Sequence, residues 1–514
     1  MPSLANPSTL FRLLILPALI AFLYLYFYPA INSCAFPPAT KLRTKCSNTA
    51  TCKNTTVPAG TAPFRLLALA DPQLEGDTSF PPGWNDGAAT NLQRLWTDAL
   101  AGRWESLGET LPALAQGYRK KLDLWGNDLF LAHIYRQTRW WAGPTHTVVL
   151  GDLLGSQWIG DGEFGRRAGR FWDRVFAGAE RVPDRVMEGE YEGEVLGVDR
   201  SWKRRVITVA GNHDVGYAGD LNEGRVERFE SAFGKVNWEV VFRLPNATLK
   251  GEQDFPSTKN PDFYDGPGPQ PELRLVVLNS MNLDEPARSP ALREQSVEFM
   301  DNTLCDPGRW NNKNAATVLL THIPLHKEAG VCVDGPFFSY FSPEHGGGIH
   351  EQNHLSEQTS SRILDCLAQN KPSIVLNGHD HEGCDTCHYT ASQPPQEVDD
   401  DASPTPIERK AIRTTSLTSL SSTEKSTSLR EITVRSMMGS YGGYAGFLSG
   451  WYNAQEGEWQ FEYETCGFGV QHIWWVCNVL LLLEVGLGVF CALDLLVRKA
   501  FEEEERGRGK VKEA

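Results

Sequence analysis

An α/β fold carried between two membrane helices is the class this sequence predicts. Three observations predict it: hydrophobic runs that each end on Asp, Asn or His, amphipathic stretches between them, and a long apolar run near each end. At 514 residues the chain is too long for one ordinary core, and its 41% hydrophobic content leaves ample side chain to bury. Lys and Arg number 49 against 64 Asp and Glu, and the resulting charge of −15 has the wrong sign for gripping a phosphate backbone. No nucleic-acid partner is expected. Eleven cysteines are too few for a small disulfide scaffold, and 15 Trp with 24 Phe argue against wholesale disorder.

Behind a cytosolic N-terminus at 1–12, residues 13–31 carry no charged side chain. As a helix rising ~1.5 Å per residue they reach roughly 28 Å, close to a bilayer's hydrocarbon thickness. An uncleaved signal anchor is expected, because the apolar part of a cleaved signal peptide runs only about 7–15 residues. Residues 473–497 form the second span, opened by Trp474 and Trp475 and closed by Arg498 and Lys499 of a cytosolic tail at 498–514. Glu484 lies inside that span, where a carboxylate is costly unless it is protonated or faces a transmembrane partner.

Arg12 before the first span and Arg498, Lys499 after the second put both ends in the cytosol and 32–472 in a lumen. Two glycosylation sequons fall there, at Asn54 and Asn246, together with nine of the eleven cysteines. Nine is odd, so one lumenal thiol is expected to stay free or to bond elsewhere.

Past a stalk at 32–63, residues 64–70 read as a buried strand stopping at Asp71-Pro72. The same grammar recurs at 147–150 before Gly151-Asp152, and at 206–210 before Gly211-Asn212-His213-Asp214. It returns at 316–320 before Thr321-His322, and at 373–376 before Asn377-Gly378-His379-Asp380-His381. Amphipathic stretches at 88–100, 165–177, 223–233, 291–303 and 356–369 predict helices covering the sheet. Strands are also expected at 236–244, 272–278, 431–438 and 458–463, and a helical insertion at 121–139. Residues 391–429, rich in Ser, Thr, Pro and Asp, read as a disordered insertion between a main domain part at 64–390 and closing strands at 430–472.

Oxygen and imidazole ligands at successive strand ends can surround two divalent ions, because open α/β sheets gather their sites at the strands' carboxyl ends. Asp152 is the expected bridge, since Gly151 lets backbone come close and a carboxylate has two oxygens to share. Asp71 and His381 complete one side; Asn212, His322 and His379 complete the other. Asp-x-Gln, Gly-Asp, Gly-Asn-His-Asp, His and Gly-His-x-His in that order resemble the calcineurin-like metallophosphoesterases over roughly residues 64–464.

That resemblance implies a two-sheet sandwich flanked by helices, αββα, with two divalent ions, Mn in first place and Fe or Zn as alternatives, and phosphoric ester hydrolysis. It gives His213 the task of protonating the leaving oxygen, with Asp214 orienting it. Two departures stand out: Gln73 replaces a His two residues after the first Asp, and Gly155 stands three after Asp152. Gln73 lies where a metal ligand is expected, so that metal would be bound more weakly or through an amide oxygen.

The strings Ala70-Asp71-Pro72-Gln73, Gly378-His379-Asp380-His381-Glu382-Gly383-Cys384 and Ser436-Met437-Met438-Gly439, with the terminal spans, are similar to one subgroup. It comprises the endoplasmic-reticulum enzymes, fungal Ted and Cdc types included, that remove ethanolamine phosphate from a mannose of the glycosylphosphatidylinositol (GPI) anchor. The implied setting is the endoplasmic-reticulum membrane with the catalytic part lumenal, cycling to the Golgi left open. The implied substrates are GPI-anchored proteins in maturation and transport. Asp128 is a candidate for the substrate ammonium, against the plainer reading of a solvated loop acid; Glu75 and Asp77 share that candidacy. His133, within the helical insertion, is read as part of a cleft wall. His345, His350 and His354, in a glycine-broken loop, are not expected to be ligands.

Cys384 and Cys387 leave three readings: a local disulfide, a redox pair, or pairings with Cys366 and Cys466. A structural disulfide fixing the histidine loop is expected. Two competing functions are a phosphatase or nucleotide hydrolase with the same dinuclear core, and a non-catalytic cargo adaptor, for which Gln73 is the only support.

Overall fold

The computed structural model describes residues 6–39, 61–80, 84, 88–189, 193–245, 268–310, 312–369, 372–390, 409–420 and 428–512. The sequons at Asn54 and Asn246 lie outside these residues. The chain divides into two units, one of Met1–Cys34 with Gly467–Ala514 and one of Ala35–Cys466.

In the first unit the helices Pro7–Ile31 and Gln471–Lys512 pack on each other, with Ser8 Oγ 3.7 Å from Cys491 Sγ. Both are long and apolar enough to cross a membrane, the second over Gln471–Glu504. They run past the expected 13–31 and 473–497, because helix propensity carries the backbone beyond the apolar stretch into polar flanks such as Glu502 and Glu503. Both carboxylate oxygens of Glu484 are shielded from solvent without a hydrogen-bond partner among the described residues.

In the second unit the strands are β1 (Phe64–Leu69), β2 (His146–Leu150), β3 (Glu180–Arg181), β4 (Glu194–Val195), β5 (Arg205–Val209), β6 (Trp238–Arg243), β7 (Glu272–Val277) and β8 (Ala315–Leu320). They continue as β9 (Phe338–Tyr340), β10 (Ile349–Gln352), β11 (Ser373–Asn377), β12 (Cys384–Thr390), β13 (Arg409–Arg413), β14 (Leu429–Thr433), β15 (Tyr444–Asn453) and β16 (Glu458–Gly467). One large sheet has the order β16-β15-β1-β2-β5-β3 and the other β13-β12-β14-β11-β8-β7-β6-β4, while β9 and β10 pair as a two-stranded sheet of their own. Within them β1, β2 and β5 run parallel, as do β7, β8, β11 and β14, so their carboxyl ends emerge on one edge of each sheet.

Strand periodicity explains why the sheets face each other. Leu66 and Ala68, Val148 and Leu150, and Ile207 and Val209 turn every second side chain of the first sheet into a shared core. Leu273, Leu275, Val277, Val318, Leu320, Ile374 and Leu376 meet them from the second. The intervening residues Leu67, Val149, Val276, Leu319 and Val375 are buried too, as parallel strands covered on both faces require. The covering helices include Ala88–Leu100, Trp104–Ala142, Asp161–Arg170, Glu223–Ala232, Pro290–Met300 and Glu357–Gln369. The architecture is mixed α/β with two sheets and flanking helices, as expected.

One expectation is corrected. Within 391–429, the described residues 409–420 are ordered: β13 pairs antiparallel with β12, and a 3-10 turn follows at Thr414–Ser419. Ile412 and Leu420 pack with Cys387 and Tyr389 in a small apolar cluster. Those few apolar side chains suffice to add an edge strand, although the segment's composition is dominated by Ser and Thr.

Candidate metal centre

The strand ends bring the expected residues together. Asp71 and Gln73 follow β1, Asp152 follows β2, and Asn212 with His213 follows β5, all from one sheet. His322 follows β8, and His379 with His381 follows β11, from the other. Asp71, Gln73, Asp152 and His379 hold left-handed backbone, with φ of 49°, 43°, 48° and 74°. For such residues that conformation costs on the order of 1–3 kcal/mol each and clusters at functional sites. Close approach also needs glycine: Gly151 has φ 82°, and a Cβ there would lie 2.1 Å from His322 Nδ1. A Cβ on Gly378 would lie 2.4 Å from the Leu150 carbonyl oxygen.

His322 Nδ1 is 2.8 Å from the Leu150 carbonyl, and His379 Nε2 is 3.0 Å from the Gln352 carbonyl. A carbonyl only accepts, so these nitrogens carry the ring hydrogens and the opposite nitrogens present lone pairs. Those lone pairs converge: His322 Nε2 and His379 Nδ1 each lie 3.0 Å from Asn212 Oδ1, and His322 Nε2 lies 3.3 Å from Asp152 Oδ1. Burial, reinforced by the neighbouring His322, pushes His379 down to about 3, and burial lowers His322 against the pull of Asp152. Neutral imidazoles are the form that ligates a metal.

On the other side of Asp152, the Gln73 amide nitrogen donates to Asp152 Oδ2 at 3.1 Å and lies 3.2 Å from His381 Nε2. Asp71 accepts the His379 N–H at 3.2 Å through Oδ1, while its buried Oδ2 has no hydrogen-bond partner among the described residues. Burial, then the charge of Asp152, raises Asp71 well above the ordinary carboxylate range. Burial would raise Asp152 as well, but the imidazoles of His322, His213 and His379 outweigh it and hold it low. An orphaned carboxylate oxygen beside converging acceptors is a donor set that fits divalent transition cations. Among the described residues, Asp152, His322 and His379 form a group close enough to share one ion.

His213 is partly exposed; its backbone N–H donates to Asp152 Oδ1 at 2.9 Å and its Nε2 lies 3.7 Å from Asp152 Oδ2. Asp214 does not orient it. Its buried carboxylate accepts the backbone N–H groups of Leu153 at 3.1 Å, Leu154 at 2.9 Å and Gly211 at 2.9 Å. A carboxylate with three amide donors to satisfy is committed to the loops, and the expectation for Asp214 is corrected accordingly.

Asp128 is corrected too. It lies within the helix Trp104–Ala142, 1% exposed, paired with Arg170 at 2.7 Å and Arg174 at 2.8 Å. An acid already neutralised by two guanidiniums has nothing left for a substrate ammonium. Glu75 pairs with Lys120 at 2.9 Å, and Asp77 lies 3.4 Å from Arg167. His133 is mostly buried in the same helix, and burial followed by Arg136 lowers it to about 4. His345 and His350 bond Ser342 and Ser339, remote in partner from the ligand cluster.

The local Cys384–Cys387 disulfide is not formed. Cys384 bonds Cys332, pinning the backbone just beyond His381 to the 331–334 loop, and Cys305 bonds Cys366. Cys34, Cys387 and Cys466 are disulfide-bonded as well, so the described cysteines between the two apolar helices leave no free thiol; Cys46 and Cys52 lie outside the described residues. Motif reading missed Gln352, because its contribution is a backbone carbonyl that no side-chain pattern announces.

A family model described as calcineurin-like phosphoesterase matches residues 123–383, a span holding Asp152, Asn212, His213, His322, His379 and His381, with Asp71 and Gln73 ahead of it. Protein TED1 of Saccharomyces cerevisiae is 31% identical over 417 residues, covering 72% of this chain and 77% of that protein. Uncharacterized protein C23A1.02c of Schizosaccharomyces pombe is 29% identical over 337 residues, covering 63% of this chain and 64% of its own length. Metallophosphoesterase 1 of Pongo abelii is 28% identical over 187 residues, 35% of this chain and 40% of that protein. With the ordered ligand set and these matches, the chain belongs to the calcineurin-like phosphoesterase family.

Proposed function

We propose that this chain is a metal-dependent phosphodiesterase of the endoplasmic-reticulum lumen, held in the membrane by its two apolar helices. It removes ethanolamine phosphate from a mannose of the GPI glycan, serving maturation and transport of GPI-anchored proteins. The observation that carries the chemistry is the convergence of His322 Nε2 and His379 Nδ1 on Asn212 Oδ1, each at 3.0 Å, with the far ring nitrogens committed to carbonyls. The substrate class is supported by the strings around Gln73, His381 and Met437 and by the 31% identity to protein TED1.

In this reading Asn212, His322, His379 and Asp152 would hold one divalent ion, and Asp71, His381 and the shared Asp152 a second, Mn in first place; Gln73, whose NH2 group faces that side, would join them only with its amide turned to present the oxygen. When bound, such ions neutralise phosphodiester charge and lower the pKa of water. Water attacks phosphorus, the bond to the sugar 6-oxygen breaks, and His213 gives its proton to that oxygen. Its partial exposure and its tether to Asp152 support that role. Glu484 lies within the second apolar helix with no hydrogen-bond partner among the described residues, and a protonated carboxyl or a transmembrane partner would satisfy it.

Purified full-length protein in detergent, stripped by chelator and reloaded with Mn, is expected to release ethanolamine phosphate from a mannose-linked glycan and to leave nucleotides largely intact. Nucleotide hydrolysis with an inert glycan would sink the substrate assignment. Undiminished hydrolysis after stripping would sink the metal assignment.

A further inference from the structure

The buried carboxylate of Glu431, on β14, bonds to the segments that follow His322 and precede His379 yet belongs to no motif. Its Oε1 accepts the backbone N–H of Leu325 at 2.8 Å and the Asn377 side-chain amide at 2.7 Å. Leu325 is three residues beyond His322, and Asn377 is two before His379. Its Oε2 meets Lys327 Nζ at 2.8 Å and His388 Nε2 at 2.6 Å. Glu431, Lys327 and His388 are 0%, 1% and 2% exposed, so no solvent competes for these bonds. Backbone register also seats Glu431 beside Val375 of β11, the strand that leads to His379.

We propose that Glu431 is a positioning residue for the metal centre, its carboxylate fixing the loop after His322 and the strand end before His379 to one another. The two histidines come from different strands, and their lone pairs must meet at Asn212 Oδ1 within a few tenths of an ångström. One oxygen bonded to both flanking segments sets that distance. Lys327 and His388 occupy the second oxygen and prevent the carboxylate from turning away. Charge alone could be served by any buried acid; the bridging oxygen is the feature that couples the two histidines. Burial opposes ionisation of Glu431, but Lys327 and His388 outweigh it and hold it well below the ordinary carboxylate range.

The inference rests on the metal reading above, and the test separates the two. Full-length protein is stripped in detergent and titrated with Mn, free Mn being read by its electron paramagnetic resonance signal, with circular dichroism as the folding check. Two double variants remove the buried ion pair equally: Glu431→Gln with Lys327→Met, and Glu431→Leu with Lys327→Met. Only the first keeps an oxygen between Leu325 and Asn377 and an amide for His388. The Gln pair is expected to bind Mn within a few-fold of the unmodified protein, and the folded Leu pair roughly ten- to a hundredfold more weakly, the usual cost of losing an outer-shell partner. Equal affinities for the two pairs would overturn the proposal. If the Leu pair does not fold, Asn377→Ala, which leaves Lys327, Glu431 and His388 whole, decides: weakened Mn binding supports the bridge and unchanged binding overturns it. Failure of the unmodified protein to bind Mn would overturn the metal reading itself, and this inference with it.

Discussion

Asp214 accepts the backbone N–H of Leu154 at 2.9 Å, so the acid next to His213 is spent on the loop that presents Asp152. With Leu153 and Gly211 also bound, it ties the Gly-Asp turn after β2 to the Asn-His turn after β5. Burial and the charge of Asp152 push its carboxyl up to about 8, while the three amide donors pull the other way. Asp214→Asn puts an NH2 group against at least one backbone N–H. The expected result is a stability loss of about 1–3 kcal/mol for the orphaned donor and weaker Mn binding, measured by thermal unfolding and metal titration. A variant that lost turnover with stability and metal affinity intact would return Asp214 to a direct catalytic part.

Among the described residues His213 is tethered to Asp152, through its backbone N–H at 2.9 Å and more loosely through Nε2 at 3.7 Å. His213→Ala is expected to leave metal content unchanged and to lower the rate on the glycan roughly a hundred- to ten-thousandfold, the range for a lost general acid or base. An activated aryl phosphodiester, whose leaving oxygen needs no proton, should show a much smaller defect. Equal losses on both substrates would exclude a leaving-group role.

Asp128 anchors rather than recognises. Arg170, held by it at 2.7 Å, also donates to the Glu75 carbonyl at 2.7 Å, on the stretch that follows Gln73. Asp128→Ala should cost about 3 kcal/mol, the low end for breaking a buried pair, because Arg170 and Arg174 retain some contact with water. KM for the glycan should stay put. A raised KM at unchanged melting temperature would reinstate the ammonium contact.

The ligand-bearing strand ends were legible because a short apolar run stopping at Gly-Asp, Gly-Asn-His or Gly-His-x-His leaves little freedom: the run is buried, and the polar residue emerges at its end. β15 was not legible. Gly446 breaks its apolar pattern, yet a Cβ there would lie 2.4 Å from the Tyr463 hydroxyl, so the glycine makes room for its neighbour in the sheet. β12 was hidden by its Cys-x-x-Cys, which draws attention to covalent pairing rather than to a strand. Glu431 was invisible for a different reason: an acid within a five-residue strand shows its partners Leu325, Asn377, Lys327 and His388 only after folding.

His146 sits in the core against Phe64, Trp202 and Phe242, its Nε2 without a hydrogen-bond partner among the described residues, and burial followed by Arg65 and Arg205 lowers it to about 3. A depressed pKa means the folded state resists the proton. Its contribution is therefore intact above the unfolded value, near 6.5, and lost as pH falls from there toward 3. Acid should destabilise the protein with a slope from this group of up to about 1.4 kcal/mol per pH unit. His146→Leu should flatten that part of the profile in thermal unfolding measured between pH 7 and 4. An unchanged slope would assign the acid sensitivity elsewhere.

Gln73 is where the chain departs from the wider family, and its backbone already suits a histidine. Its φ of 43° lies in the left-handed region, which His tolerates better than most side chains. The amide nitrogen faces both Asp152 Oδ2 and His381 Nε2, at 3.1 and 3.2 Å, so the side chain bridges the acid and the imidazole on that side of the centre. Imidazole is a better donor than a neutral amide toward transition metals, and Gln73→His should tighten Mn or Zn binding there. It also removes the N–H that donates to Asp152. If Gln73 merely left a site incomplete, turnover of the glycan would rise with affinity. The expected outcome is the opposite, stronger metal binding with slower glycan cleavage, because a smaller, weaker donor leaves room for a sugar phosphodiester and a labile ion. Parallel measurement of Mn affinity and ethanolamine phosphate release decides between them, and a variant improved in both would show that Gln73 is a deficiency rather than a specialisation.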